Sequence, residues 1–207
     1  MTFEEKISFL KHKWEANKMA VISDAKNNKY ICAINYNAVS KYFALSIEMH
    51  DTELNNKGFI NIFRAPNNRL SLSSIYVYWD VRGLGLATKL NDLASFILRD
   101  EAGKIIRGRF FPYDVPQDTQ LPTGLTNEEK EYFAKKFYQS NGYNLLKYDD
   151  FKSNPENFPE LDKWDFELGE KPAEIIVIKK IKQLKNNQFQ EHFGFITEIE
   201  PEEELEK

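Results

Sequence analysis

The stretch Ser73–Leu90, SSIYVYWDVRGLGLATKL, holds the residues whose types and spacing point most directly to chemistry. An apolar run ends at Trp79. A turn with Arg82, Gly83 and Gly85 follows, and helical spacing begins at once with Leu86 and Leu90. The first turn of a helix carries backbone N–H groups without partners and partial positive charge from the aligned peptide dipoles. Glycine lets an anion approach that backbone closely. Arg82 adds a forked, permanently charged donor. The pattern predicts a site for a phosphate or pyrophosphate. A Walker A loop is excluded, because no Gly-Lys-Ser/Thr closes the turn. A dinucleotide fingerprint fails at its third glycine, where Thr88 stands, and the preceding strands read as antiparallel.

The turn does fit R-x-x-G-x-A over Arg82–Ala87, which resembles the acyl-CoA pyrophosphate loop of the GNAT superfamily of N-acetyltransferases. A second segment, Ala134 to Tyr143, is similar to the A-x-x-F-Y-x-x-x-G-[F/Y] stretch that follows in the same family, with Phe137, Tyr138 and Gly142 in place. The resemblance covers Phe43 to Ile181 in element order and is sharp in these two motifs.

It implies a mostly antiparallel sheet splayed between two neighbouring strands, here Leu70–Trp79 and Ile105–Phe111, and flanked by helices. It implies acetyl-CoA as co-substrate, with no metal. Pantetheine would pair with the backbone of Ile75, Tyr76 and Val77. The diphosphate would sit on the N–H groups of Arg82, Gly83, Leu84, Gly85, Leu86, Ala87 and Thr88. Val77 N–H would hold the oxyanion, and Tyr138 would act as general acid toward the departing thiolate. Reference pKa values make that proton transfer uphill by about 2 kcal/mol, so hydrogen bonding to the thiolate is the more economical role.

The base is less legible. An alkyl amine costs about 4.6 kcal/mol to deprotonate at neutral pH, yet Leu70–Trp79 contains no acid. Glu48, Asp51 and Asp114 fall at expected strand ends, and a water relay past Ser73, Tyr76 or Tyr78 is an equal alternative. Glu131 stands where many family members have Asn. The activity implied is acetyl transfer to a primary amine, small-molecule or peptide, by direct attack. The alternative on the same residues is a catalytically weak or inactive acyl-CoA-binding regulatory module. A nucleotide-phosphate enzyme of another class is a third reading.

The elements that must position these residues read as follows. Thr2 with Glu5 is a capping-box spacing, and Phe3, Ile7, Leu10 and Trp14 share one helical face. Strand-like runs follow at Tyr30–Tyr36, Phe43–Met49, Phe59–Phe63 and Leu70–Trp79, joined by short turns that imply antiparallel pairing. A helix runs from Leu86 toward Gly103, and a strand covers Ile105–Phe111. Thr126 with Glu129 caps a helix over Asn127–Ser140, and strands cover Tyr143–Tyr148 and Glu174–Ile181. The order is that of a mixed α/β domain around a single sheet. Residues 1–185 read as one domain. Residues 186–207 read as an extension with a strand over Phe193–Ile199 and a disordered acidic tail. Asp149–Pro172 reads as a long acidic loop, and Lys179 and Lys180 as an exposed strand end.

With 207 residues, 42% hydrophobic and 29% charged, the composition excludes disordered and fibrous classes. No apolar run is long enough to span a membrane, and a net charge of −4 gives no bulk attraction to nucleic acid. A single cysteine, Cys32, fits a reducing cytoplasm and reads as an inert buried thiol. His12, His50 and His192 lack metal-ligand spacing. No membrane or nucleic-acid partner is expected. A homodimer through the C-terminal strands is left open.

Overall fold

A computed structural model describes residues 1–39, 43–65, 69–101, 103–110, 126–159, 161, 163–166, 173–181 and 197–199. The chain opens with helix α1, Phe3–Lys13, and its capping box is formed: Glu5 N–H donates to Thr2 Oγ1 while Thr2 N–H donates to Glu5. Five strands follow: β1 (Lys18–Ser23), β2 (Lys29–Tyr36), β3 (Phe43–His50), β4 (Asn56–Ala65) and β5 (Arg69–Val77), each antiparallel to the one before. The sequence reading missed β1, where KMAVIS alternates poorly, and placed Lys18–Ser23 in no element.

Next come helix α2, Leu86–Ile97, strand β6, Ile105–Arg109, and helix α3, Asn127–Ser140, whose capping box Thr126–Glu129 is also formed. Strand β7 (Asn144–Lys147), helix α4 (Tyr148–Ser153), strand β8 (Ile175–Lys180) and strand β9 (Thr197–Ile199) complete the described elements. Helix α4 and a short 3-10 turn at Lys163–Asp165 stand inside the stretch expected to be a loop. The described strands form one sheet of nine in the order β7-β8-β6-β5-β4-β3-β2-β1-β9. β5 and β6 are parallel; the pairs given above, β6–β8, β7–β8 and β1–β9 are antiparallel. The mixed α/β class with a mostly antiparallel sheet is the one the sequence led us to expect. The strand at Thr197–Ile199 falls within the run expected to extend the sheet. Phe111, the acidic tail and most of the extension lie outside the described residues.

Helix α2 drives the main core. Leu86, Leu90, Leu93, Ala94 and Ile97 are buried against Ile47, Ile60, Ile62 and Val77, at about 2 kcal/mol per large side chain removed from water. Among the described residues, the opposite face of the sheet is covered in two separate places. Helix α1 packs Leu10 on Met19, Ile31 and Ala33. At the other end, Phe151, Leu161 and Phe166 pack with Leu146 and Ile176. That second layer is pinned by Asp165, fully buried, which pairs with both Arg69 of β5 and Arg107 of β6.

Two irregularities shape β5. Asn61 pairs with Ser74 but Ile62 pairs with Leu72, so Ser73 is an extra residue in the strand. Side chains alternate with period two, so one extra residue moves the following set to the other face. Leu70 and Leu72 face the α2 core before the bulge; Ile75 and Val77 face it afterwards. The second irregularity is the short contact with β6. Only Leu70–Ile106 and Ser71–Arg107 pair. Beyond Leu72, β5 has no neighbour on that side among the described residues.

Candidate active site

Past its last pair with β6, β5 borders an opening, a cleft of about 540 Å³ that it shares with the turn into α2 and with α3. Its floor is Ile75, Tyr76 and Val77, one end is the turn into α2, and one wall is α3. Strand geometry decides which backbone groups look into it. Tyr78 N–H donates to Lys57 O, so Tyr78, Tyr76 and Ser74 turn their backbone groups to β4. Ile75 and Val77 therefore turn theirs into the opening. This corrects the expectation for Tyr76, whose backbone belongs to the β4 ladder. Val77 N–H is directed into the cleft, and Val77 O accepts from Arg82 Nε at 2.8 Å.

The turn is held open by two residues with positive φ, Gly83 at +75° and Gly85 at +78°. A side chain is strained in this region of backbone space. Gly85 is the N-cap of α2 and no side chain caps the helix, which also has no acid in its first turn. The carbonyl of Leu84 accepts from Ala25 N–H and that of Gly85 from Lys89 N–H. Among the described residues, the N–H groups of Gly83, Leu84, Gly85, Leu86, Ala87 and Thr88 donate to no protein acceptor. Successive amides converging at a helix N-terminus make an anion-binding concavity. Leu84 is the one member of the run that does not line the cleft; it packs on the core. Arg82 stands over the Tyr76 ring at 5.2 Å as well as on Val77 O.

Helix α3 contributes Phe133, Ala134, Phe137 and Tyr138 to the wall. Tyr138 is fixed by edge contacts with Phe110, Phe137 and Tyr143. Burial pushes its phenol above the usual tyrosine range. Its hydroxyl makes no hydrogen bond among the described residues. Tyr143, by contrast, donates to Asn91 of α2 at 3.0 Å and ties the segment that follows α3 to that helix. Lys179, expected at an exposed strand end, instead donates to Ser95 and lies over the Tyr143 ring. Glu131 pairs with Lys135. Phe133 and Val81 were missed as lining residues. The i, i+1, i+4, i+5 spacing of Phe133, Ala134, Phe137 and Tyr138 was the available signal for Phe133.

The structure separates the expected acids. Asp51 accepts from the N–H groups of Glu53 and Asn55 and from the Asn55 side chain, and it pairs with Lys57. Burial alone would raise its pKa, but these bonds outweigh that and lower it. Glu48 is half-buried and its pKa is raised by burial, with Asn56 Nδ2 donating to Oε2 at 2.5 Å. Asp114 lies outside the described residues, as does His192. Cys32 is fully buried in the α2 core and burial raises its thiol pKa. No group of three potential metal ligands occurs among the described residues, and none of their helices is long and apolar enough to cross a membrane.

No family model and no curated protein matches the chain. Among solved structures, it is similar to an acetyltransferase of the GNAT family from Staphylococcus aureus, at 20% identity over 67% of this chain and 68% of that one, with a TM-score of 0.44. It is similar to a protein designated a streptothricin acetyltransferase from Bacillus anthracis in complex with acetyl coenzyme A, at 15% identity, 70% and 65% coverage and a TM-score of 0.40. A third is the ribosomal-protein-S18-alanine N-acetyltransferase from Escherichia coli, at 14% identity, 72% and 74% coverage and a TM-score of 0.40.

Proposed function

We propose that the protein is a GNAT-type N-acetyltransferase that moves an acetyl group from acetyl-CoA to a primary amine by direct attack. The observation that carries the reading is the run of undonated N–H groups from Gly83 to Thr88, placed at the end of a strand whose Ile75 and Val77 backbone groups face an open cleft. The diphosphate of a coenzyme A thioester fits the first. An extended pantetheine, with its two amides, fits the second.

In this reading the amine nitrogen attacks the thioester carbon, and the developing oxyanion takes the Val77 N–H. The C–N bond forms, the C–S bond breaks, and the ammonium proton passes to water. Tyr138 donates a hydrogen bond to the leaving sulfur. Burial makes its phenol a weaker acid still, which supports stabilisation of the thiolate over full proton transfer. Most of the acceleration comes from holding the two substrates together in a reactive orientation.

The absence of an acid on β5 favours, as a second reading, an acyl-CoA-binding regulatory module without turnover. Two measurements separate the readings. Isothermal titration with acetyl-CoA tests the site, and thiol release over an amine panel tests turnover. Binding with release supports transfer. Binding without release across the panel supports the module, and no binding overturns both.

A further inference from the structure

Among the described residues, the sheet face opposite α2 is covered at its two ends, and the middle carries a row of side chains that the mechanism above leaves unused. Glu48 of β3 pairs in register with Phe59 of β4, which pairs with Tyr76 of β5. Residues opposite one another in antiparallel strands share a face, so the three form one cross-strand row. Neither the α1 cluster nor the Phe151–Phe166 cluster includes a residue of β3, β4 or β5. All three row residues are half-buried. Phe59 and Tyr76 rings stand 5.7 Å apart. A polar row, Ser46–Asn61–Ser74, runs beside them and is satisfied internally through Asn61.

The Tyr76 hydroxyl is buried with no hydrogen-bond partner. At the far end, Glu48 Oε1 accepts no hydrogen bond among the described residues and no cation pairs with either oxygen; Asn56 is the one donor to the carboxylate. A half-buried anion in this state is set for a cation. At the near end, the Arg82 guanidinium already stands over Tyr76, so a cation settles at the Glu48 end.

Distance decides what Glu48 does. A base must come within about 3 Å of the proton it takes, or one water further. Glu48 is two strand spacings from β5, about 10 Å between Cα atoms, and Asn56 holds its carboxylate on the β3–β4 side. We infer that the acceptor is a diamine-like cation, one amine reacting beside Val77 while a second ammonium binds the Glu48 carboxylate and the carbon chain lies over Phe59 and Tyr76. Glu48 is then a specificity residue rather than the base. This inference rests on the transferase reading and adds the substrate class to it.

The test is thiol release from acetyl-CoA with alkane diamines from diaminopropane to diaminooctane, each against the n-alkylamine of equal length. We expect the longer diamines to exceed their monoamines in kcat/KM by about tenfold, the scale of one charge-assisted contact. Glu48→Gln should raise the diamine KM by about the same factor, leave kcat within about twofold, and leave the monoamine KM unchanged. Equal turnover of diamines and monoamines, or no turnover of any diamine, with acetyl-CoA binding intact overturns the inference and leaves the cofactor site standing. A fall in kcat at unchanged KM in Glu48→Gln overturns it in favour of a base. Failure of the wild-type protein to bind acetyl-CoA overturns the transferase reading itself. The comparison on the wild-type protein needs no variant to fold.

Discussion

Replacing Gly85 separates the strain of the turn from its electrostatics. At φ +78° any side chain costs about 1 kcal/mol of stability, and a Cβ built there meets nothing within 4 Å. Gly85→Ala should therefore lower stability by about that amount and leave acetyl-CoA affinity within a few-fold. Gly85→Asp carries the same strain and adds a negative charge beside the amide cradle. At about 5 Å and an effective dielectric near 20, that charge repels one phosphate charge by about 3 kcal/mol. The affinity loss is then on the order of a hundredfold, and it should shrink as salt is raised. Isothermal titration of both variants, alongside denaturant melts, reads the two effects separately. If Gly85→Asp binds acetyl-CoA within about threefold of the wild type, the diphosphate does not rest on this turn.

Tyr138→Phe should cut kcat by at least tenfold while the Kd for acetyl-CoA stays within about twofold; unchanged kcat in steady-state assays removes the residue from the reaction. Gly108→Ala places a methyl 2.9 Å from the Leu72 carbonyl oxygen, so urea melts should show a loss of about 1–3 kcal/mol from overpacking at the point where the two strands part. Asp165→Ala strips a shared carboxylate from Arg69 and Arg107 and should cost about 3 kcal/mol, with proteolysis reporting release of the Phe151–Phe166 layer. Glu48 has a folded pKa raised by burial, so the folded state holds its proton more tightly. Stability should fall as pH rises from below the ordinary glutamate pKa through the raised one. Glu48→Gln should remove that slope and raise Tm at neutral pH, whereas a lower Tm there would assign Glu48 a structural role.

Local chemistry was the legible part of the fold. Both capping boxes, Thr2–Glu5 and Thr126–Glu129, name their own partners within three residues. The Arg82–Thr88 turn was readable because two glycines in a row of otherwise ordinary residues mark a backbone that must turn left-handed. Long-range register was not readable. The Ser73 bulge flips the parity of β5, and nothing in SLSSIYV announces which serine is extra. The orientation of the backbone of Tyr76 toward β4 follows from that register and was lost with it. Helix α4 was hidden by a run of acids and a proline that resembles a loop. The Glu48–Phe59–Tyr76 row joins residues far apart in sequence on three strands, and only pairing brings them together.

The most direct measurement is the structure of the protein crystallised with acetyl-CoA. The account predicts diphosphate oxygens about 3 Å from the N–H groups between Gly83 and Thr88, with pantetheine lying along Ile75 and Val77. A turn left empty while the coenzyme binds elsewhere, or amides taken up by the protein's own side chains, would contradict it.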